Sequence, residues 1–464
     1  MGDNSSKSLF GGSGALPEDD FMDNDCFVTA DSDYLNYKNI TQSLKFIKAG
    51  PRKQIFYDTA QTKVAIITCG GLCPGLNVVI RELVMCLHYN YEVKDIFGIK
   101  LGYKGCYTDP ENNWVKLTPE VVKNIHKMGG TILGSSRGGF DADKILDSLR
   151  DRGINQVYCI GGDGTHRGID ALIQRSIERK IVISFVGIPK TIDNDIPLID
   201  YSFGFRTSVE IANEMIDAAY TEAVSNYNGI GVVKLMGRYA GFIAHAASLC
   251  HNDIDFCLVP ELPFELQGPF GVFNQIIKRV KSKGHCVVVV AEGAEEGLIN
   301  PNEKITQVEN RDGSGNLIYD DIGIYLDRAI KEYAIKEHAM LVNVFAIDPT
   351  YAIRSVPSNS GDTALCMDLA QHAVHGAMHG FTGFSTGNVR NNTCYIPIKT
   401  MMEAGARKVS IRGRPWQRMV ALNDQPNFIN DEFLEAAERR IVKQEQDHAS
   451  CMQKIKARIN ARTT

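Results

Sequence analysis

Seven unbroken apolar runs do most to limit what this chain can become. Val64-Ala65-Ile66-Ile67-Thr68 is the first, and residues 156–160, 181–188, 231–235, 256–260, 286–291 and 341–347 follow. A strand with one wet face alternates apolar and polar residues, whereas one covered on both faces does not. The runs therefore predict strands of a parallel sheet packed between helices. Helix-like segments lie between them at 75–89, 166–180 and 205–225. Thr118-Pro119-Glu120 reads as a helix start with proline at the first helical position. Alternating strand and helix predicts an α/β doubly wound fold, with ligands at the carboxyl ends of the strands.

At 464 residues the chain is long enough for two or three domains. Its 50 Lys and Arg stand against 55 acidic residues, a net charge of −5, which argues against nucleic acid or an anionic membrane as the main partner. The 12 cysteines form no C-x-x-C pair and read as free thiols of a reducing compartment. No run approaches 18 apolar residues and the start, Met1-Gly2-Asp3-Asn4, is too polar for a secretory signal, so the cytoplasm is expected. Gly2 and Ser6 match the short pattern for myristoylation, one that arises often by chance. Residues 1–30, rich in Gly, Ser, Asp and Asn, are expected to be loosely attached, and 31–60 to pack on the body. Residues 312–315 read as a surface turn and 431–459 as an amphipathic helix.

The chemistry is written where the runs end. Gly161-Gly162-Asp163-Gly164-Thr165 follows one strand, Pro189-Lys190-Thr191-Ile192-Asp193-Asn194-Asp195 another, and Gly70-Gly71-Leu72-Cys73-Pro74-Gly75 the first. Glycines let backbone N–H groups reach phosphate oxygens, and carboxylates hold Mg²⁺ or accept a proton. Asp193 and Asp195 are two apart, so in an extended segment both would face one side. Neither glycine motif is a Walker loop or a dinucleotide fingerprint. The reading is a phosphoryl-transfer site. Gly134-Ser135-Ser136-Arg137-Gly138 satisfies the nucleophile-elbow pattern of hydrolases, the main opening for a different chemistry, although it leaves the acidic motifs without a task. Met236-Gly237-Arg238, Glu292, Tyr351 and Arg354 lie at or after later runs, and an arginine there can stabilise charge on a transferring phosphoryl group.

In this order, Gly70–Asn77 (Gly-Gly-Leu-Cys-Pro-Gly-Leu-Asn), Gly134-Ser135-Ser136-Arg137, Gly161 to Thr165, Pro189 to Asp195, Met236-Gly237-Arg238 and Asp348-Pro349-Thr350-Tyr351-x-x-Arg354 resemble the phosphofructokinase family, in particular its long ATP-dependent forms. The resemblance spans about residues 62 to 400. It implies two doubly wound α/β domains with the active site in the cleft between them, plus an N-terminal extension and a C-terminal helix. The extension would be 1–60. A nucleotide-binding domain would take 61–204 with 355–400, and a sugar-phosphate domain 205–354 with 401–464.

The resemblance also implies roles. Asp193 would be the general base for the 1-hydroxyl of fructose 6-phosphate, with Thr191, Arg238 and Asp195 completing the catalytic group. Asp163 and Asp195 would bind Mg²⁺. Gly71, Arg137, Gly162, Asp163, Gly164, Thr165, Gly168 and Lys190 would line the ATP phosphates. Thr191, Asp193, Met236, Gly237, Arg238, Glu292, Tyr351 and Arg354 would hold the sugar phosphate. A homotetramer is the expected assembly. Gly164 leaves room for the α-phosphate where pyrophosphate-using relatives carry Asp, which favours ATP, while Lys190 resembles the pyrophosphate type. The rival readings are a pyrophosphate-dependent phosphotransferase and a non-catalytic, sugar-phosphate-sensing subunit. Two positions depart from the pattern: Gly229 stands where short members place an arginine, and Phe345 where a basic residue is expected for the substrate phosphate.

Overall fold

The computed structural model describes residues 44–306 and 317–429, with 6–7, 22–23, 26–29, 310–311, 450 and 454. The turn expected at 312–315, most of the helix expected at 431–459 and the Gly2 motif lie outside the described residues.

Among the described residues, two sheets carry the fold. The larger has nine strands in the order Phe27–Thr29, Lys45–Lys48, Asn392–Pro397, Phe384–Val389, Ser184–Pro189, Gln156–Gly161, Lys63–Thr68, Asp95–Ile99 and Trp114–Lys116. The five from Phe384–Val389 to Asp95–Ile99 run parallel. The smaller sheet is wholly parallel, in the order Phe256–Leu258, His285–Ala291, Gly229–Leu235 and Asn343–Ile347.

In the larger sheet the unbroken runs are explained by how their residues divide between two cores. Val64, Ile66, Tyr158, Ile160, Val186 and Ile188 face the helices Leu76–Tyr91 and Ser360–Met378. The intervening Ala65, Ile67, Val157, Cys159 and Phe185 face Ala142–Asp151 and Asp163–Glu178. Period two is present, but both halves are apolar because both faces are covered. Each fully buried Ile or Val contributes about 1.5–3 kcal/mol, so Ile66→Ala in the centre of this layer would cost about 2–5 kcal/mol.

Expectation and structure differ at the margins. The larger sheet is mixed, because Trp114–Lys116, Asn392–Pro397, Lys45–Lys48 and Phe27–Thr29 pair antiparallel at its edges. These strands were not foreseen: three are only three or four residues long and half wet, and Asn392–Pro397, though four of its six residues are buried, carries an apolar run of only three, 394–396. The run at 341–347 starts as strand only at Asn343, and Leu341 is 76% exposed. Residues 45–48 do pack on the body, burying Phe46. The helix expected at 166–180 is Asp163–Glu178, so Asp163-Gly164-Thr165 is its first turn and Gly162 its N-cap. Pro119–Val122 starts where expected, with the Thr118 side chain accepting from Val121 N–H.

The chain leaves Lys63–Thr68 for Asp95–Ile99 on one side, then returns to place Gln156–Gly161 on the other. That reversal opens a crevice at the carboxyl ends of these two strands, the usual ligand position in such sheets.

Candidate active site

Three neighbouring strand ends of the larger sheet deliver the glycine and acidic loops together. Thr68 pairs with Ile160 and Gly161 with Pro189, and ladder bonds continue past the strands, from Cys69 N–H to the Ile160 carbonyl (2.9 Å) and Lys190 N–H to the Gly161 carbonyl (3.0 Å). No side chain caps Asp163–Glu178, so the N–H groups of its first turn are presented at the positive end of the helix dipole. A Cβ added to Gly164 would meet nothing within 4 Å.

The Gly70–Gly71 loop is laced to 134–137. Thr68 Oγ1 donates to the Gly134 carbonyl (2.7 Å), Ser135 Oγ to the Gly70 carbonyl, and Gly70 N–H to the Ser136 carbonyl (3.2 Å). Residues 131–141 are irregular, so the G-x-S-x-G segment lacks the strand–turn–helix context of a nucleophile elbow, and Ser135 and the Ser136 carbonyl serve to hold a loop. A Cβ on Gly71 would lie 3.5 Å from Arg137 Nη2 and 4.0 Å from Arg354 Nη1, which places both guanidinium groups beside this turn.

Lys190, buried to 5% exposure, donates from Nζ to the Gly71 carbonyl at 2.6 Å, and burial lowers its pKa. Thr191 orders the acidic pair: its Oγ1 accepts from Asp193 N–H (3.1 Å) and its hydroxyl bonds the Asp195 carboxylate. The segment is not extended, as the spacing suggested. Asn194 sits at φ 53, and its buried Oδ1 accepts from Ser202 N–H at 3.0 Å. Asparagine tolerates that left-handed backbone, and the turn still brings the two carboxylates within electrostatic reach of one another.

Asp193 is half-buried, and its Oδ1 atom is buried without a hydrogen-bond partner. Burial first, then the neighbouring Asp195 and Glu292, push its pKa up to about 7 against the opposing pull of Arg238 and Lys190. Asp195 is also raised, by burial first, with Asp163 adding to the shift and Thr191 and Arg407 opposing it. Asp163, Asp193 and Asp195 thus share one crevice. The Asp163 side chain is 66% exposed and pairs with Arg167 at 2.7 Å. Among the described residues no group of three or more His, Cys, Asp or Glu side chains is arranged to hold a metal. Two carboxylates with open positions suit Mg²⁺, which keeps waters and takes substrate phosphate oxygens for the rest.

The smaller sheet supplies the facing wall. Leu235 pairs with Ala291, and beyond them Glu292 N–H bonds the Leu235 carbonyl (2.8 Å) and Gly293 N–H the Gly237 carbonyl (3.0 Å), setting Met236-Gly237-Arg238 beside Glu292. Glu292 and Arg238 act on Asp193 across the cleft. Arg354, in the short helix Ala352–Ser355, has a buried Nε with no partner and lies over the Tyr351 ring at 4.9 Å. Tyr351 itself is 73% exposed.

Two expected donor residues pack against Tyr103 and Cys69. Thr165 is buried with its hydroxyl toward Cys69, and a Cβ at Gly168 would lie 2.8 Å from the Tyr103 ring, so these positions seat the helix on Tyr103. At Gly229 a Cβ would come within 2.1 Å of the Ala223 carbonyl, so this backbone admits no arginine. Phe345 lies half-buried in the edge strand opposite Gly231. Arg407 was not foreseen. Its N–H bonds the Asp195 carbonyl (2.7 Å) and its guanidinium the Ile199 carbonyl (2.6 Å), yet as one arginine in an unpatterned segment it leaves no mark in the sequence.

The family model described as Phosphofructokinase matches residues 63–392. ATP-dependent 6-phosphofructokinase 7 of Arabidopsis thaliana is 49% identical over 393 residues, covering 85% of this chain and 79% of that protein. ATP-dependent 6-phosphofructokinase 1 of the same plant is 49% identical over 384 residues, covering 83% and 80%. Among solved structures, a pyrophosphate-dependent phosphofructokinase from Nitrosospira multiformis superposes with a TM-score of 0.63, covering 80% of this chain and 95% of that one, at 16% identity. A likeness at that identity speaks for the shared fold.

Proposed function

The chain belongs to the phosphofructokinase family, and on that premise we propose that it transfers a phosphoryl group from ATP to the 1-hydroxyl of fructose 6-phosphate, giving fructose 1,6-bisphosphate and ADP in glycolysis. One observation carries the chemistry: Asp193, with a buried, unpartnered Oδ1 and a pKa pushed up to about 7, sits where the two walls meet. A base of that pKa is ionised enough to take a hydroxyl proton at physiological pH and basic enough to want it.

Asp193 accepts the proton of the 1-hydroxyl as the oxygen attacks. Thr191 and Arg238 flank the transferring group, where the guanidinium opposes the charge that accumulates on its oxygens. The N–H groups of the Gly162-Asp163-Gly164 turn, the Gly71 turn, Arg137 and Lys190 take the donor phosphates. Asp163 and Asp195 hold Mg²⁺, which when bound neutralises phosphate charge. Met236, Gly237, Glu292, Tyr351 and Arg354 hold the sugar phosphate.

The larger sheet then serves the nucleotide and the smaller the sugar. Open space at Gly164 favours ATP, in keeping with the names of the relatives. Lys190 supports the pyrophosphate reading, but its ammonium is engaged by the Gly71 carbonyl. Retention of all three carboxylates opposes a purely sensing subunit. A homotetramer is our proposal for the assembly. No helix among the described residues is long and apolar enough to cross a membrane, and the cytoplasm is the compartment we propose. Purified protein with fructose 6-phosphate, Mg²⁺ and either ATP or pyrophosphate tests the assignment. Turnover with ATP is expected. Turnover with pyrophosphate alone reverses the donor, and silence with both favours the sensing role.

A further inference from the structure

The imidazole of His166 takes no part in the chemistry above, yet it lies directly beneath the donor turn. The residue is 2% exposed. Its Nδ1 is 2.9 Å from the Gly162 carbonyl and its Nε2 3.0 Å from Ser385 Oγ, which is itself 3.1 Å from the Gly187 carbonyl. A carbonyl only accepts, so Nδ1 carries the proton. Burial keeps the ring neutral, so Nε2 is an acceptor and the one Ser385 hydroxyl proton is donated to it rather than to the Gly187 carbonyl. The slot for the ring exists because residue 187 is glycine: a Cβ there would stand 2.8 Å from Nε2.

The Gly162 carbonyl and the Asp163 N–H belong to one planar trans peptide, in which they point in opposite directions. Whatever fixes the carbonyl inward aims that N–H outward, toward the cleft. The Gly162 carbonyl also closes the first turn of the helix, accepting from Thr165 N–H (3.0 Å) and His166 N–H (3.1 Å), so the imidazole is a third donor on an oxygen whose flip would present an acceptor to the phosphates. We propose that His166 is a positioning residue for the donor phosphates, acting through the Gly162–Asp163 peptide and braced by Ser385 on the neighbouring strand. The inference rests on reading this turn as the phosphate cradle of a nucleotide-using transferase.

Asparagine places an amide N–H near Nδ1 but cannot reach Ser385, while glutamine reaches the Nε2 position and not the Nδ1 one. The full-length His166→Asn, His166→Gln, His166→Leu and Ser385→Ala variants are compared by calorimetric binding of Mg·ADP, by KM for each substrate and by melting temperature. Loss of one hydrogen bond predicts that Gln and Leu weaken ADP binding and raise KM for ATP by roughly 5–15-fold. KM for fructose 6-phosphate should stay within about twofold of the parent. Asn should restore ADP affinity to within about threefold, and Ser385→Ala should fall between Asn and Leu. Equal losses in Asn and Gln, parental affinity in all four, or parallel rises in both KM values would overturn the proposal. If Leu does not fold, the Asn–Gln contrast still decides. Failure of the parent to turn over would count against the phosphofructokinase reading, and the ADP-binding order would still report on His166.

Discussion

The two walls of the cleft recognise anions by different means. The larger sheet does so chiefly with backbone: Gly71, Gly162 and Gly164 stand at strand ends locked to one another by ladder bonds, so N–H groups are aimed by the sheet. The smaller sheet does so with the guanidinium groups of Arg238 and Arg354, to which Glu292 adds an acceptor for sugar hydroxyls, each from a separate connection. A backbone cradle is rigid and tolerates no added Cβ where phosphate must approach. A side-chain wall can be altered one residue at a time. Substitutions on the two sides should therefore separate cleanly into donor and acceptor effects.

The largest effect is expected where the walls meet. Asp193→Asn should lower turnover by about 10²–10⁴ while leaving Mg·ADP binding near the parent value. Retention of most of the rate would remove the base from the mechanism and with it the idea that the two sides converge on one proton. Arg354→Met comes next. Losing a charge-assisted bond to substrate should raise KM for fructose 6-phosphate by about 10–100-fold with nucleotide binding unchanged. An equal rise in KM for ATP would show that Arg354, which also lies beside Gly71, serves both walls. On the donor side, Gly164→Asp should raise KM for ATP by about tenfold or more, since a carboxylate among phosphates is repelled. The space around Gly164 is open, so the melting temperature should barely move, and a variant that simply unfolds would leave the steric argument without support.

This contrast also explains what was readable in the sequence. Strands covered on both faces wrote themselves as unbroken runs, and the donor turns as glycine clusters, because both requirements are local in the chain. The acceptor wall left single residues at 238, 292 and 354 that only a family resemblance could connect. Thr165 and Gly168 also carry packing that the motif does not announce. They belong to the motif's helix, but a helix has two sides, and they face Tyr103. His166 and Arg407 were missed because their work is done on carbonyls, Gly162 and Ile199, whose direction no sequence pattern reports.

A separate effect concerns stability, and its sign follows from the same carboxyl. Below about pH 3.9 Asp193 is protonated in both the folded and the unfolded chain, so it contributes nothing to the pH dependence. Its folded pKa is raised to about 7. Between these values the folded state keeps a proton that the unfolded state has lost, so stability falls as pH rises, and above about pH 7 the full cost remains. Asp193→Asn removes that cost. The amide keeps the same unpartnered acceptor at Oδ1 that the parent has, so that penalty cancels in the difference. A net stabilisation of a few kcal/mol at pH 8 is expected, at about 1.4 kcal/mol per unit of pKa shift, shrinking to nothing or reversing at pH 4. Urea titrations of substrate-free parent and variant at pH 4, 6 and 8 measure it. The same ionisation should give kcat/KM for fructose 6-phosphate an acid limb near pH 7 in the parent. A stability difference that does not change with pH would mean that Asp193 ionises as an ordinary carboxylate. The cleft would then lack a base matched to its task, whatever the arrangement of its two walls.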